Sequence, residues 1–97
     1  MTFVEFERSL EGATPPDGLV AALAALWWVR KDDWDQAHTI VMNEDSREAA
    51  WVHAYLHRVE GDAANAAYWY GQARQPVASG ALTAEWQAIA TALLGGG

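Results

Sequence analysis

Ninety-seven residues enclose one hydrophobic core, since a chain of this size hides roughly 60 to 65% of its unfolded surface on folding, and a two-domain design is excluded. Thirteen acidic against six basic side chains leave a formal charge of -7, which repels phosphate backbones and anionic leaflets, so nucleic acid and membrane surfaces are not expected partners. With no cysteine there is neither disulfide nor thiolate chemistry.

Apolar residues make up 52% of the chain and alanine supplies 20 of them, which favours close helix packing, with six tryptophans to fill the larger gaps. Phe3 and Phe6, among charged neighbours, predict a short helix or an arm within residues 1–14. Pro15 and Pro16 make 12–18 an extended connection. Asp17 is then the expected cap of a first long helix that reaches about Lys31, with Leu19, Leu23, Leu26 and Trp27 on one face. The apolar run over 19–29 is too short to cross a bilayer and reads as a buried helix.

Asp32 and Asp33 supply a turn and an N-cap for a second helix, from Trp34 to about Asn43, that turns Trp34, Ala37, Ile40 and Val41 inward. Residues 17–43 thus form a first antiparallel hairpin. Asp45 with Glu48 resembles a capping box and opens a third helix whose stripe is Trp51, Val52, Tyr55, Leu56 and Val59, stopped at Gly61. Asp62 caps a fourth helix with Ala66, Trp69, Tyr70 and Ala73 on one face and Pro76 as its end, completing a second hairpin over 45–75. After a loop through Gly80, Leu82, Trp86, Ile89 and Leu93 mark an amphipathic closing helix over 82–94, ended by Gly95, Gly96 and Gly97. No segment alternates as a strand would.

A shift of 29 residues superposes Ala25 on Ala54, Asp33 on Asp62, Gln36 on Asn65 and Ala37 on Ala66, so the two hairpins read as copies of one unit. The second copy resembles a tetratricopeptide repeat: Ala54 is the small residue at the helix contact, Gly61 and Asp62 the turn, and Ala66, Tyr70 and Ala73 the packing positions. The resemblance implies an all-α, tetratricopeptide-like stack of two antiparallel hairpins plus a C-terminal capping helix. The shift is shorter than the usual repeat of about 34 residues and two units are fewer than a solenoid needs, so 1–14 and 82–94 are expected to act as caps, or a homodimer to bury the leftover surface. The words WW, DDWDQAH, WVHAYLHRVEGD and NAAYWY, within residues 19–94, also resemble an uncharacterised family of short bacterial and fungal proteins. That resemblance implies the same helical-repeat fold and no particular activity or cofactor. Gly71 and Gln72 stand where it implies basic residues.

Chemistry concentrates in the third helix. His53 and His57 are four apart, the spacing that puts two imidazoles on one helical face and can chelate a metal, and His38 is positioned to supply a third nitrogen. The preferred reading is hydrogen-bonded histidines at helix interfaces, because HAYLH lacks the glutamate of a zinc-protease helix. Metal binding, or catalysis by a histidine with Glu60, Asp62 or Asp33 as its carboxylate, is the alternative. Arg58, beside Glu60 and Asp62, reads first as an ion-pair brace and second as an anchor for a carboxylate ligand. Asn65, Tyr68 and Gln72 form a polar stripe expected to face solvent, and the acidic DDWD at 32–35 is read as helix capping.

No nucleotide-binding glycine loop or serine nucleophile elbow is present. The leading expectation is therefore a small binding or scaffolding module for a peptide or small ligand. Its groove would carry Glu48, Trp51, Tyr55 and Arg58, with His53, His57, Asn65 and Trp69 beside it. The alternatives are a metal protein or small enzyme using His38, His53 and His57, and a purely structural oligomerisation unit. No cofactor is expected apart from a metal ion at those histidines. The start MTFVEFERSLEG lacks the pattern of an export signal, so a cytoplasmic location is expected.

Overall fold

Short polar caps and alanine-rich interiors fold this chain into helices, and the computed structural model describes residues 1–95. Among the described residues there are six α-helices and no strand: α1 (Phe3–Ser9), α2 (Ala21–Arg30), α3 (Trp34–Met42), α4 (Arg47–Val59), α5 (Ala63–Ala73) and α6 (Leu82–Leu93). None is long and apolar enough to cross a membrane. The expected end of α6 at Gly96 and Gly97 lies outside the described residues.

The turns explain the pairing. After α2 the chain passes through Asp32 at φ 63, and the Asp33 amide donates back to the Trp28 carbonyl at 2.9 Å. After α4 it passes through Gly61 at φ 85, and the Asp62 amide donates to the His57 carbonyl at 2.8 Å. Both are left-handed caps that return the chain at once, and both place an aspartate whose side chain accepts from the third amide of the next helix. Connections of three residues between helices that pack along their lengths make α2–α3 and α4–α5 antiparallel pairs.

Helix α4 lies at the centre, in contact with α2, α3, α5 and α6. Ala49, Ala50 and Ala54 let backbones approach, while Val52, Tyr55 and Leu56 fill the core. Helix α6 closes the bundle through Trp86, which is 2% exposed, stacks on Phe6 and donates its indole N–H to the Leu26 carbonyl at 2.9 Å. The N-terminal segment is accordingly a helix packed on the body. A reciprocal capping box starts it, with the Thr2 hydroxyl accepting from the Glu5 amide and the Glu5 carboxylate from the Thr2 amide.

Three predicted helix ends are corrected. Asp17 does not cap α2, because Gly18 at φ 84 turns the chain there and the helix starts after Val20, with no side-chain cap. Asp45 gives way to Ser46 as the cap of α4, its hydroxyl accepting from the Ala49 amide at 3.1 Å, which leaves Glu48 in the first turn. Helix α5 ends before Pro76, where Arg74 takes the left-handed conformation at φ 58 and the Gln75 amide bonds the Tyr70 carbonyl. Leu82, the first member of the predicted α6 stripe, is exposed at the start of the helix.

A side chain at Arg74 carries the steric cost of the left-handed region, where a Cβ crowds the following carbonyl. Arg74→Gly is expected to raise stability by about 0.5–1 kcal/mol, the relief at φ 58 outweighing the extra freedom glycine gives the unfolded chain. Urea unfolding monitored by circular dichroism measures it; a variant less stable than the parent would show that the arginine side chain holds the α5 end in place.

Candidate metal centre

Four-residue spacing on α4 and the packing of α3 against it bring three imidazoles together. Ring centroids are 4.9 Å apart for His53 and His57, 4.8 Å for His38 and His53, and 5.4 Å for His38 and His57. One potential ligand nitrogen from each falls within 4.8 Å of the other two. His53 and His57 are buried and His38 is half-buried, so the cluster sits at the α3–α4 contact with His38 at its edge.

Indole rings fix the walls. Trp34 stacks on His38 at 4.6 Å between centroids, and its N–H donates to the Leu56 carbonyl at 2.8 Å, tying α3 to α4. Trp69 of α5 stacks on His53 at 3.9 Å with the planes only 12° apart. These contacts leave the two imidazoles little freedom to rotate about their ring planes.

At the third imidazole a carboxylate sets the tautomer. His57 Nδ1 lies 2.7 Å from Glu60 Oε1, and because an ionised carboxylate can only accept, the proton resides on Nδ1. The neutral ring then has its lone pair on Nε2, the arrangement in which a second carboxylate partner orients a metal-binding histidine. Burial, with the neighbouring imidazoles as a smaller cause, pushes His53 down to about 4, and burial also lowers His38. Both are therefore neutral near pH 7, the form that binds metal.

No fully enclosed side-chain nitrogen or oxygen lacks a partner among the described residues. Since His57 Nδ1 makes the only protein hydrogen bond of the three rings among the described residues, the remaining ring nitrogens stay within reach of small solutes. A second grouping, His57 with Glu60 and Asp62, is also compact. Its chemistry is already taken up: Asp62 accepts from the Asn65 backbone and side-chain amides at 3.2 and 2.7 Å as the α5 cap, and Glu60 holds His57.

The other predicted site residues separate. Arg58 is a brace, donating to Glu85 Oε1 of α6 at 2.8 Å and to the Gly80 carbonyl, while the Tyr70 hydroxyl donates to the second oxygen of the same Glu85. Burial, reinforced by this carboxylate, raises the Tyr70 hydroxyl well above its ordinary pKa. Tyr55 is 6% exposed and belongs to the core, so the predicted groove wall of Glu48, Trp51, Tyr55 and Arg58 is not continuous. Glu48 and Trp51 do line one surface cleft. Asn65, Tyr68 and Gln72 are exposed, and Trp69 is the member of that neighbourhood that meets the histidines. Glu85 was not legible as a partner of Arg58, because 27 residues and an irregular loop separate them. His57 and Glu60 carried a signal in their three-residue spacing at the helix end.

No protein-family description, curated protein or solved structure matches this chain.

A base whose folded pKa is depressed stabilises the fold fully above its unfolded value and progressively less below it. For His53 the window runs from 6.5 down to about 4. Metal-free protein is expected to lose on the order of 2 kcal/mol across this interval through His53, and His53→Gln to show a flatter pH dependence. Urea midpoints of both proteins in chelator, taken every half unit of pH, measure the difference; parallel curves would show that His53 is not held neutral by its surroundings.

Proposed function

We propose that this chain is a small metal-binding protein in which His38, His53 and His57 hold one divalent first-row transition-metal ion, Zn²⁺ or Cu²⁺ by ligand preference. The observation that carries the reading is the approach of three ligand nitrogens to within 4.8 Å of one another around a histidine whose Nδ1 proton is held by Glu60. Imidazole nitrogens suit these ions, and a tetrahedral site with bonds of about 2.0–2.1 Å needs its nitrogens about 3.3 Å apart. The nitrogens therefore have at most about 1.5 Å to close, a motion that falls most easily to half-buried His38, on the shorter of the two helices.

Charge supports the same reading. His38 and His53 are neutral when metal-free, so at neither ring does the ion have to displace a proton, in a chain carrying -7 overall. Three protein ligands leave a fourth position for water or a small anion. As scaffold we read α2–α3 and α4–α5 as two tetratricopeptide-like hairpins capped by α6. Support comes from the matching left-handed turns at Asp32 and Gly61 and from Ala54, Ala66 and Tyr70 packed in one buried cluster.

Isothermal titration of the chelator-treated chain with Zn²⁺ is expected to show one site per chain, lost in His53→Ala and in His57→Ala. Glu60→Gln is expected to bind about 10- to 100-fold more weakly while keeping the same stoichiometry. Parent protein at a hundredfold excess of Zn²⁺ over the dissociation constant gains about 2.7 kcal/mol of stability, readable as a rise in Tm. Absence of Zn²⁺ and Cu²⁺ binding at micromolar protein, with helicity intact, would sink the assignment.

A further inference from the structure

The six cations of this acidic chain are not used alike. Arg58 pairs with Glu85, Lys31 donates to the Leu10 carbonyl at 2.7 Å and lies over Trp27, and Arg30 lies over Trp86. Arg8, Arg47 and Arg74 have neither an ion pair nor a side-chain hydrogen bond among the described residues, and of these Arg47 and Arg74 line the same cleft, together with Glu48, Trp51, Gln75 and Leu93. The cleft measures about 290 Å³ and none of the three histidines lines it. At about 30 Å³ per water this is room for about ten waters, enough for a molecule the size of an amino acid.

Arg74 also occupies a backbone position that disfavours it. It stands at φ 58, ψ 42 in the α5 cap, where glycine would sit without strain. Two guanidiniums facing one cleft repel each other, and that repulsion is relieved when a carboxylate bridges them by charge-assisted hydrogen bonds. Glu48 is the counterweight: it would oppose a simple anion and would pair with an ammonium group beside the carboxylate. Trp51 and Leu93 supply apolar wall for the remainder of the ligand.

We infer that this cleft, formed by the start of α4 and the ends of α5 and α6, binds a small zwitterion: an α-amino acid with an aliphatic side chain. Its carboxylate lies between Arg47 and Arg74, its ammonium at Glu48, and its side chain against Trp51 and Leu93. Nothing in this assignment depends on the histidine centre, and the two fail separately.

The test is titration of the metal-free full-length chain with L-leucine, followed by calorimetry and by amide chemical shifts. A dissociation constant on the order of 0.1–1 mM is expected for a ligand of this size on an open cleft. 4-Methylpentanoate and N-acetyl-L-leucine, which lack the ammonium, and 3-methylbutylamine, which lacks the carboxylate, should each bind roughly tenfold or more weakly. Arg74→Gly removes one guanidinium from a position where glycine is at ease, and should weaken leucine binding roughly tenfold without lowering Tm. Glu48→Gln should weaken leucine but tighten 4-methylpentanoate, and His53→Ala should leave leucine binding intact. The inference is overturned by no leucine binding up to about 10 mM, by N-acetyl-L-leucine binding as tightly as leucine, which would make this a plain carboxylate or peptide-terminus site, or by unchanged affinity in Arg74→Gly.

Discussion

Burial of α4 among four other helices is the constraint from which the rest of the structure follows. Beyond its exposed first turn, a thirteen-residue helix enclosed on most sides cannot carry long polar side chains except where each has a partner. Ala49, Ala50 and Ala54 answer the constraint by size, and Val52, Tyr55 and Leu56 by hydrophobicity. Arg58 answers it through Glu85 and the Gly80 carbonyl, which fastens the 74–81 loop and α6 to the second helical pair. His53 answers it by staying neutral, since an imidazole can shed its proton at modest cost where a lysine or arginine would remain charged, and His57 answers it through its bond to Glu60. The candidate centre is thus a product of the same burial that makes α4 the core.

Tryptophan supplies the second requirement. A domain this small has little interior, and six large rings enclose more apolar area per residue than aliphatic side chains do. Their N–H groups also act as ties: Trp27 to Ser9 joins α2 to α1, Trp34 to Leu56 joins α3 to α4, and Trp86 to Leu26 joins α6 to α2. The first and last of these bonds cross between elements that no short turn connects, so there the indoles fix relative placement where chain connectivity cannot. Trp34 serves twice, because the bond that sets its ring also sets the face on which His38 rests.

Helices and their turns were legible because their causes are local. Asp33 and Asp62 announce caps within four residues, Gly61 announces a left-handed turn, and the spacing of Trp86, Ile89 and Leu93 announces a buried face. Errors fell where two local signals compete. Asp17 and Asp45 are good cap residues on composition, but Gly18 diverts the chain at the first and Ser46 lies one residue closer to the helix at the second. Convergence of the histidines was half legible: the 53/57 spacing fixes two rings on one face, whereas the arrival of His38 depends on how α3 packs, which no spacing encodes. Discontinuity of the expected groove was not legible, because the partner of Arg58 lies 27 residues away and the burial of Tyr55 follows from how the helices pack around α4.

Helix geometry also separates the two candidate sites. At about 100° per residue, His53 lies about 160° around α4 from Trp51 and His57 about 120°, so the histidines and the apolar wall of the arginine cleft face different sides of one rod. Because α4 is held by α2, α3, α5 and α6, a ligand on one side can act on the other through α4 by shifting the helix as a body against close-packed neighbours. His38 can move toward the triad by rotating its own side chain, and Arg74 can reach the cleft from a position beyond the end of α5; neither motion requires α4 to move. The packing that makes α4 a rigid support for each site therefore also insulates one from the other, and occupancy of the two should be energetically additive.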